Sequence, residues 1–293
     1  MIAPDLLRRI RRIELHTRKL VRNAFAGAYH SIYKGRGLAF ASVRPYIPGD
    51  DVRAIDWKVT ARTNETFIKQ YVEERELTVM LMIDGSASVF FGTMDRQKRD
   101  FAAELGAVLA LMATSNNDKA GLMIFSEEVE HYVPPRKGRG HIQRVIRDLL
   151  TFKPKGSGTD LARALRTVNR VLHSGAIIFL ISDFLMEEDA YYRDLVITSK
   201  KHEVNAIVVT DPLEEAIPEV GMMSVQDVET GAIQIVDTSS PQFQRRFRQQ
   251  RRRLMQARDD TLRRAGVARI DLPPDGDYVR ALTLFFQQQA RKR

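Results

Sequence analysis

Five oxygen-bearing side chains stand at positions where the chain could bind a metal ion. Asp84 ends an apolar run and is followed closely by Ser86 and Ser88. Thr159 lies in a glycine-containing loop, and Asp183 ends a second apolar run. Small hard cations such as Mg²⁺ prefer oxygen ligands in an octahedron and keep some of their waters. These residue types therefore predict a divalent-cation site made of Asp84, Ser86, Ser88, Thr159 and Asp183.

The small number of carboxylates in this set indicates how such a site would work. Because the hydroxyl ligands are neutral, a bound ion keeps positive charge and can accept an acidic oxygen from a partner. Gly156 and Gly158 allow the Thr159 loop to approach closely. We expect Mg²⁺, with Mn²⁺ or Ca²⁺ as alternatives that the sequence does not separate. The competing interpretation is that Asp84 and Asp183 are ordinary strand-end acids and that the serines cap the next helix.

Apolar runs that end in acids predict how these residues are brought together. Residues 77–84, LTVMLMID, form a continuous apolar run, as a buried parallel strand does. Further buried strands are predicted at 121–126, 176–183 and 203–211, and helices at 95–115, 141–151, 160–173 and 188–200. This alternation predicts an α/β domain with a mostly parallel sheet and helices on both faces. Ligands of such sheets bind at the carboxyl ends of the strands, where strand order reverses.

The segments before the first buried strand predict a small N-terminal unit. An amphipathic helix is predicted at 5–24 from its apolar periodicity. Strands are predicted at 38–47 and 66–74, and Pro45 places the end of the first one at a sheet edge. We therefore divide the chain into an N-terminal helix and β segment at 1–75 and a larger domain at 76–293.

Weaker patterns predict additions to the larger domain. Residues 128–133 have the pattern of a short edge strand, which Pro134 and Pro135 are expected to stop. The remaining predictions are strands near 222–227, 232–237 and 267–272, an arginine-rich helix at about 241–265 and a last helix near 277–291.

The candidate metal site resembles a known motif. It is similar to the metal-ion-dependent adhesion site of von Willebrand factor A domains in three segments, Asp84-x-Ser86-x-Ser88, Gly158-Thr159-x-Leu161 and Ile181-Ser182-Asp183. Where that family commonly has Thr-Asp-Gly, this chain has Ser182-Asp183-Phe184, a departure that removes no ligand. The resemblance covers roughly residues 77–240 and implies a Rossmann-like fold, a metal site and a role in protein interaction.

A second resemblance lies upstream. Residues 43–57, VRPYIPGDDVRAIDW, with Ala61-Arg62 and Glu73, are similar to the signature of the domain-of-unknown-function fifty-eight family. Residues 213–237 also fit that family, so the resemblance spans about 28–290. Genes of the family commonly lie beside those of MoxR-type AAA+ ATPases, which act in maturation or assembly. The resemblance therefore implies a MoxR-type ATPase and an unknown client protein as partners.

The upstream signature carries closely spaced opposite charges around a turn, together with the only tryptophan of the chain. One interpretation is an ion-pair network that docks the small β segment onto the larger domain. The other is a surface that contacts a partner, and the sequence leaves both open. The residues concerned are Arg44, Asp50, Asp51, Arg53, Asp56, Trp57 and Arg62.

We interpret the chain as a non-enzymatic, metal-dependent interaction protein, an adaptor or co-chaperone that acts with a MoxR-type ATPase on a client. The alternative is a metal-dependent phosphotransferase or hydrolase that uses Asp84. Against it, phosphate-transferring enzymes of the dehalogenase type have a second aspartate two residues on, where this chain has Ser86. The sequence also contains no G-x-S-x-G around Ser86 and no Gly-Lys-Ser/Thr of an ATPase phosphate loop.

Composition narrows the class of protein further. The absence of cysteine excludes disulfides and thiolate metal sites. No segment reaches the roughly 20 apolar residues that a membrane span needs, and the N-terminus is too charged for a signal peptide, so we expect a cytoplasmic protein. A net charge of +9 admits nucleic acid or an anionic membrane as a partner. A solvated basic surface is the simpler interpretation, because the C-terminal arginines lack the interleaved aromatic residues of single-strand binders.

Overall fold

The computed structural model describes most of the chain. The described residues are 38–63, 65–73, 76–87, 97–156, 158–226, 233–273 and 276–292. The predicted helix at 5–24, the predicted metal ligand Ser88 and the family residues at 227–231 lie outside these ranges. In the described part of the chain, none of the helices has the length and apolar character needed to cross a membrane.

The described strands and helices fall close to the predicted segments. In chain order, the strands are β1 (Leu38–Pro45), β2 (Phe67–Glu73), β3 (Thr78–Asp84), β4 (Lys119–Phe125), β5 (Val129–Arg136), β6 (Ile177–Ser182), β7 (Glu203–Val208), β8 (Met222–Gln226), β9 (Ile233–Asp237) and β10 (Ala268–Asp271). The helices are α1 (Trp57–Thr63), α2 (Lys98–Ser115), α3 (Arg139–Thr151), α4 (Leu161–Val171), α5 (Glu188–Lys201), α6 (Pro212–Glu215), α7 (Pro241–Arg264) and α8 (Tyr278–Lys292). The helices α1 and α6 are not among the predicted segments.

The main sheet has the order β10-β7-β6-β3-β4-β5. All neighbouring strands in it are parallel except β4 and β5, which pair antiparallel. The predicted α/β fold with a mostly parallel sheet is therefore confirmed. From β3 the chain continues to β4 on one side and later to β6 on the other, so the strand order reverses between β3 and β6. Asp84 ends one of these two strands, and Asp183 follows the other.

Helices cover both faces of this sheet, as predicted. On one face, α2, α3 and α8 share a core with Val79, Leu81 and Ile83 of β3. On the other face, α4, α5 and α7 share a core with Met80 and Met82. Successive residues of a strand point to opposite faces. Since both faces are covered, the central strands β3 and β6 are apolar at nearly every position instead of alternating.

Strand β5 corrects one prediction. Pro134 and Pro135 do not stop it, because the strand runs from Val129 to Arg136. Proline has no backbone N–H and is tolerated in sheets at edges and bulges. Strand β5 is the last strand of the sheet, and its register against β4 shifts between the partners of Ala120 and Leu122, where the two prolines lie. The prolines therefore occupy a bulge in an edge strand.

Two antiparallel ribbons are separate from the main sheet. Strand β1 pairs with β2, and β8 pairs with β9. The base of the second ribbon is fastened by Thr238, whose hydroxyl donates to the carbonyl of Gly221 at 2.8 Å. The side-chain amide of Gln244 donates to the carbonyl of Thr238 at 2.8 Å. Because Gln244 lies near the start of α7, this contact attaches the ribbon to the arginine-rich helix.

We expect Phe286→Ala to lower the free energy of unfolding by about 3–5 kcal/mol. Phe286 of α8 is fully buried, and its ring meets the ring of Phe179 of β6 edge to face at 6.3 Å. The matched control is Leu284→Ala on the same helix, where the side chain is 47% exposed. It should change the free energy of unfolding by less than about 1 kcal/mol. Urea unfolding measures both, and equal effects would show that α8 does not pack on the sheet through Phe286.

Candidate metal centre

The register of β3 and β6 places Asp84 beside Ser182. The two strands are parallel, and their pairing reaches Ile83 opposite Ile181. One step further in the same register brings Asp84 opposite Ser182. The hydroxyl of Ser182 donates a 2.6 Å hydrogen bond to Oδ2 of Asp84. The ends of the two strands are therefore joined through their side chains at the point where the strand order reverses.

Asp84 is a buried acid, with 2% of its surface exposed. Its Oδ1 accepts the N–H of Ser86 at 2.9 Å, and the hydroxyl of Ser86 also hydrogen-bonds to the carboxylate. Burial and then the negative charge of Asp183 raise the pKa of Asp84 to about 6, against the hydrogen bonds, which lower it. In the described part of the chain, the hydrogen-bond partners of Asp84 are all neutral.

The turn after Asp84 packs closely against β4. The N–H of Gly85 donates to the carbonyl of Phe125 at 2.7 Å. Ser86, the next predicted ligand, is fully buried, while Ser88 lies outside the described residues. A cavity of about 30 Å³ beside Asp84 and Gly85 has room for about one water molecule, and its lining includes apolar residues of α2 and α3 but not Ser86, Thr159 or Asp183.

The loop that carries Thr159 is held at the carboxyl end of β4. The N–H of Gly158 donates to the carboxylate of Glu127 at 3.0 Å, and the N–H of Asp160 donates to the carbonyl of Ser126 at 2.8 Å. A side chain at position 158 would lie 3.0 Å from that carboxylate, so glycine allows the close approach. Thr159 itself is half-buried. The structure thus anchors the predicted Thr159 ligand beside the strand next to β3.

Asp183 has a cationic partner that is not part of the predicted site. Lys98, the first residue of α2, is fully buried, and its Nζ lies 2.8 Å from Oδ2 of Asp183. The same Nζ lies 2.5 Å from Oε1 of Glu214 in α6. Burial lowers the pKa of Lys98, but the two carboxylates more than offset this effect, and the pKa is raised. The ammonium group therefore stays charged between the two acids.

Three residues that shape the site were missed at the level of sequence, namely Ser182, Lys98 and Glu214. The sequence does contain a signal for Ser182. This serine directly precedes Asp183, and the alternation of side chains along β6 predicts the face of the sheet to which it points. Glu214 lies in the Leu213-Glu214 pair that resembles the family, but no local signal links either Glu214 or Lys98 to Asp183. Their contacts join positions 85 and 116 residues apart, which only the packing of helices on the sheet brings together.

Phe184 takes a backbone conformation that glycine usually adopts. Its φ is +53°, in the left-handed region where a side chain costs roughly 1–2 kcal/mol. Its N–H donates to the hydroxyl of Ser182 at 3.0 Å, and its ring is buried beside the ring of Tyr191. The turn after Asp183 thus keeps the geometry that a glycine would allow, and the burial of the ring offsets the strain.

The chemistry of the donor set fits a divalent cation. Asp84 and Asp183 bring two buried carboxylates close enough for the charge of one to raise the pKa of the other. Ser86 and Thr159 add hydroxyl oxygens on the adjoining loops. Within the described ranges, no three His, Cys, Asp or Glu side chains are grouped as a metal site, so an ion held here would have few charged ligands. That composition suits Mg²⁺ with several water ligands.

The charged residues of the upstream signature make local contacts. Arg44 and Asp50 form a bidentate ion pair with N–O distances of 2.7 and 2.6 Å, and this pair lowers the pKa of Asp50. Oδ1 of Asp51 accepts the N–H of Arg53 at 2.9 Å and begins a single 3₁₀ turn. One interpretation of this segment was an ion-pair network. Among its described residues, Arg44 and Asp50 form an ion pair, and this pair lies within the turn itself.

Apolar side chains of the same segment are exposed to solvent. Trp57 is 69% exposed, Val52 61% and Ile47 60%. Oδ1 of Asp56 accepts the N–H of Lys58 at 3.0 Å and begins the helix α1 that carries Trp57. Arg62 lies in the last turn of the same helix and is exposed. Exposed tryptophan and arginine are enriched in protein interfaces, so this surface has the composition of a contact site.

The mostly parallel sheet, the helices on both faces and the acidic, serine-containing turn at the switch point define a Rossmann-like fold of the von Willebrand factor A type. The model of a protein family of unknown function, DUF58, matches residues 42–257. The chain belongs to this family, and the resemblance found in its upstream signature is confirmed.

Several proteins of known sequence or structure are similar to this chain. The uncharacterized protein Rv1480 of Mycobacterium tuberculosis is 34% identical over 232 residues, which are 78% of this chain and 73% of that protein. The uncharacterized protein YeaD of Bacillus subtilis is 30% identical over 121 residues, 40% of this chain and 27% of that protein. Among solved structures, the conserved hypothetical protein BatB of Bacteroides thetaiotaomicron has a TM-score of 0.49 at 17% identity, over 73% of this chain and 99% of that one. The SpRpn10 VWA domain has a TM-score of 0.40 at 11% identity, over 75% and 96%.

The raised pKa of Asp84 predicts a pH dependence that Asp84→Asn removes. The folded protein keeps Asp84 protonated up to a pH of about 6, whereas the unfolded chain ionises near pH 4. Between these values unfolding releases a proton, so the metal-free protein loses stability as pH rises. We expect the free energy of unfolding of wild type, relative to Asp84→Asn, to fall by about 3 kcal/mol between pH 4 and pH 7.

Urea unfolding in EDTA at a series of pH values measures this difference. Asp189→Asn, at an exposed position in the first turn of α5, is the matched control for the loss of one carboxylate. If the difference between wild type and Asp84→Asn stays constant over this range, Asp84 does not have a raised pKa.

Proposed function

We propose that this protein is a non-enzymatic, divalent-metal-dependent interaction protein, an adaptor or co-chaperone. The observation that carries the proposal is the buried carboxylate of Asp84 at the switch point of the sheet. Its described hydrogen-bond partners are neutral, and the charge of Asp183 repels it. A Mg²⁺, Mn²⁺ or Ca²⁺ ion would neutralise this repulsion. The residues that would hold it are Asp84, Ser86, Ser88, Thr159 and Asp183.

The neutral ligands determine what the ion would do. Because three of these side chains are hydroxyls, the ion keeps positive charge and attracts an anionic oxygen. A partner would supply an Asp or Glu carboxylate to the open position. On the family resemblance, the partner that we propose is a MoxR-type AAA+ ATPase or its client. The exposed surface of Trp57, Val52 and Ile47 offers a second contact, since a large exposed aromatic side chain can anchor an interface.

We favour interaction over a phosphotransferase or hydrolase reaction at Asp84. Both oxygens of the carboxylate accept hydrogen bonds, from Ser86 and from Ser182, and 2% of the side chain is exposed. Phosphate-transferring enzymes of the dehalogenase type have a second aspartate two residues after the first, and this chain has Ser86 at that position.

If the site binds a metal ion, the ion should raise the melting temperature, and the rise should depend on Ser86 and Ser88. A ligand that binds only the native state stabilises it by about 2.7 kcal/mol at 100 times its Kd. Mg²⁺ or Mn²⁺ should therefore raise the melting temperature of wild type and have little effect on a Ser86→Ala, Ser88→Ala double variant. Ser174→Ala, at an exposed serine just before β6, should respond as wild type does. Equal shifts in wild type and the double variant would show that these serines do not hold the ion.

If the metal ion bridges this protein and its partner, EDTA should weaken the complex. Losing a well-desolvated, charge-assisted contact costs roughly 2–5 kcal/mol, which is about thirtyfold or more in affinity. Calorimetry with the purified MoxR-type ATPase should show this loss for EDTA-treated wild type and for Asp84→Ala in Mg²⁺. Asp189→Ala should bind as wild type does. If the ATPase binds EDTA-treated and Mg²⁺-loaded protein equally tightly, the metal does not bridge the two proteins.

A further inference from the structure

A buried lysine lies beside the candidate metal centre. Lys98 is fully buried, and its ammonium group bridges Asp183 at 2.8 Å and Glu214 at 2.5 Å. Asp183 uses its other oxygen, Oδ1, to accept the N–H of Leu185 at 3.2 Å. One of the two acids of the proposed metal site is therefore already bound to a cation that belongs to the protein.

Helix stability gives no reason for a lysine at this position. Lys98 begins an 18-residue helix, where the helix dipole disfavours positive charge. Burial of the ammonium adds a desolvation penalty, and apolar residues of similar volume are often at least as stabilising as a buried ion pair. The two carboxylates hold the charge in place and raise the pKa of Lys98. Helix stability therefore does not explain why a positive charge lies next to the candidate metal centre.

Lys98 also connects the candidate metal centre to the helices α6 and α7. Glu214, its second partner, accepts the N–H of Asp211 through Oε2 at 3.1 Å. The main-chain carbonyl of Glu214 accepts a hydrogen bond from Nε of Arg251 in α7. If Asp183 bound a metal ion in place of Lys98, the lysine would keep Glu214 as its counter-charge. The ammonium group can thus release one acid without being left unpaired.

We propose that Lys98 is a resident cation of the site, which competes with the divalent ion for Asp183 and thereby weakens metal binding in the isolated protein. This inference rests on the proposed metal-dependent function. A carboxylate from the partner would add the negative charge that Lys98 offsets, so metal and partner would bind more tightly together than separately. The free protein would release its ion readily, and the complex would retain it.

Calorimetric titration with MnCl₂ in the absence of any partner tests the proposal. Unit charges a few ångströms apart at a partly buried site interact strongly enough to change affinity by about tenfold or more. Lys98→Met should therefore bind Mn²⁺ at least about tenfold more tightly than wild type. Glu214→Gln should bind it more weakly, because Lys98 would then have Asp183 as its sole acidic partner among the described residues.

A double variant tests whether tighter Mn²⁺ binding comes from the loss of competition for Asp183, and not from a change in net charge or from misfolding. Lys98→Met with Glu214→Gln has the same net charge as wild type and leaves no unpaired acid at position 214, yet it frees Asp183. It should also bind Mn²⁺ more tightly than wild type does. Lys119→Met removes one positive charge at the start of β4, at the opposite end of the sheet, and should not change the affinity. Tighter binding is not a result that structural damage would produce.

The outcomes distinguish this inference from the function on which it rests. If wild type binds Mn²⁺, Ser86→Ala abolishes the binding, and both Lys98 variants bind no more tightly than wild type, the competition is refuted while the metal site stands. If wild type and every variant fail to bind Mn²⁺ although circular dichroism shows them folded, the proposed metal site is wrong, and the role of Lys98 is wrong with it.

Discussion

Two carboxylates that are buried at the ends of neighbouring strands form the constraint on which the rest of the site depends. Asp84 and Asp183 are each 2% exposed, and buried charges need compensation because they have lost water. The protein compensates them differently. Asp183 receives the ammonium of Lys98, whereas the described partners of Asp84 are a backbone N–H and two hydroxyls. Burial and then the negative charge of Asp183 raise the pKa of Asp84 more than these neutral donors lower it, and this uncompensated charge is the physical basis for proposing a cation at the centre.

The scaffold makes this arrangement precise. Parallel pairing of β3 with β6 sets Asp84 opposite Ser182, and the reversal of strand order separates the loops on either side. The Thr159 loop is held to the carboxyl end of β4 by the N–H of Gly158 on Glu127. Side chains of a binding site are best positioned when they stand on rigid strands and on loops that are themselves anchored. The left-handed turn at Phe184 serves the same purpose, since its buried ring fixes the peptide after Asp183.

Much of the fold follows from local patterns, and the exceptions have physical reasons. The buried strands of the main sheet were predictable because strands covered on both faces must be apolar throughout. The end of β5 was wrongly predicted, because proline is tolerated in an edge strand and the order of strands is not a local property. The short helix α1 was missed because its polar, partly exposed sequence has no apolar face to signal it.

The sequence by itself determined the apolar strands, the acids that end or follow them and the upstream signature by which the family is recognised. These are properties of residues close together in the chain, so periodicity and motif spacing reveal them. Only the tertiary structure decided which charges meet. Lys98 reaches Asp183 and Glu214 across 85 and 116 residues, and neither the strand order nor the approach of α2 and α6 to the sheet is encoded in any one segment. Electrostatic partners are set by distance in space, and for these three residues the packing of helices on the sheet fixes that distance.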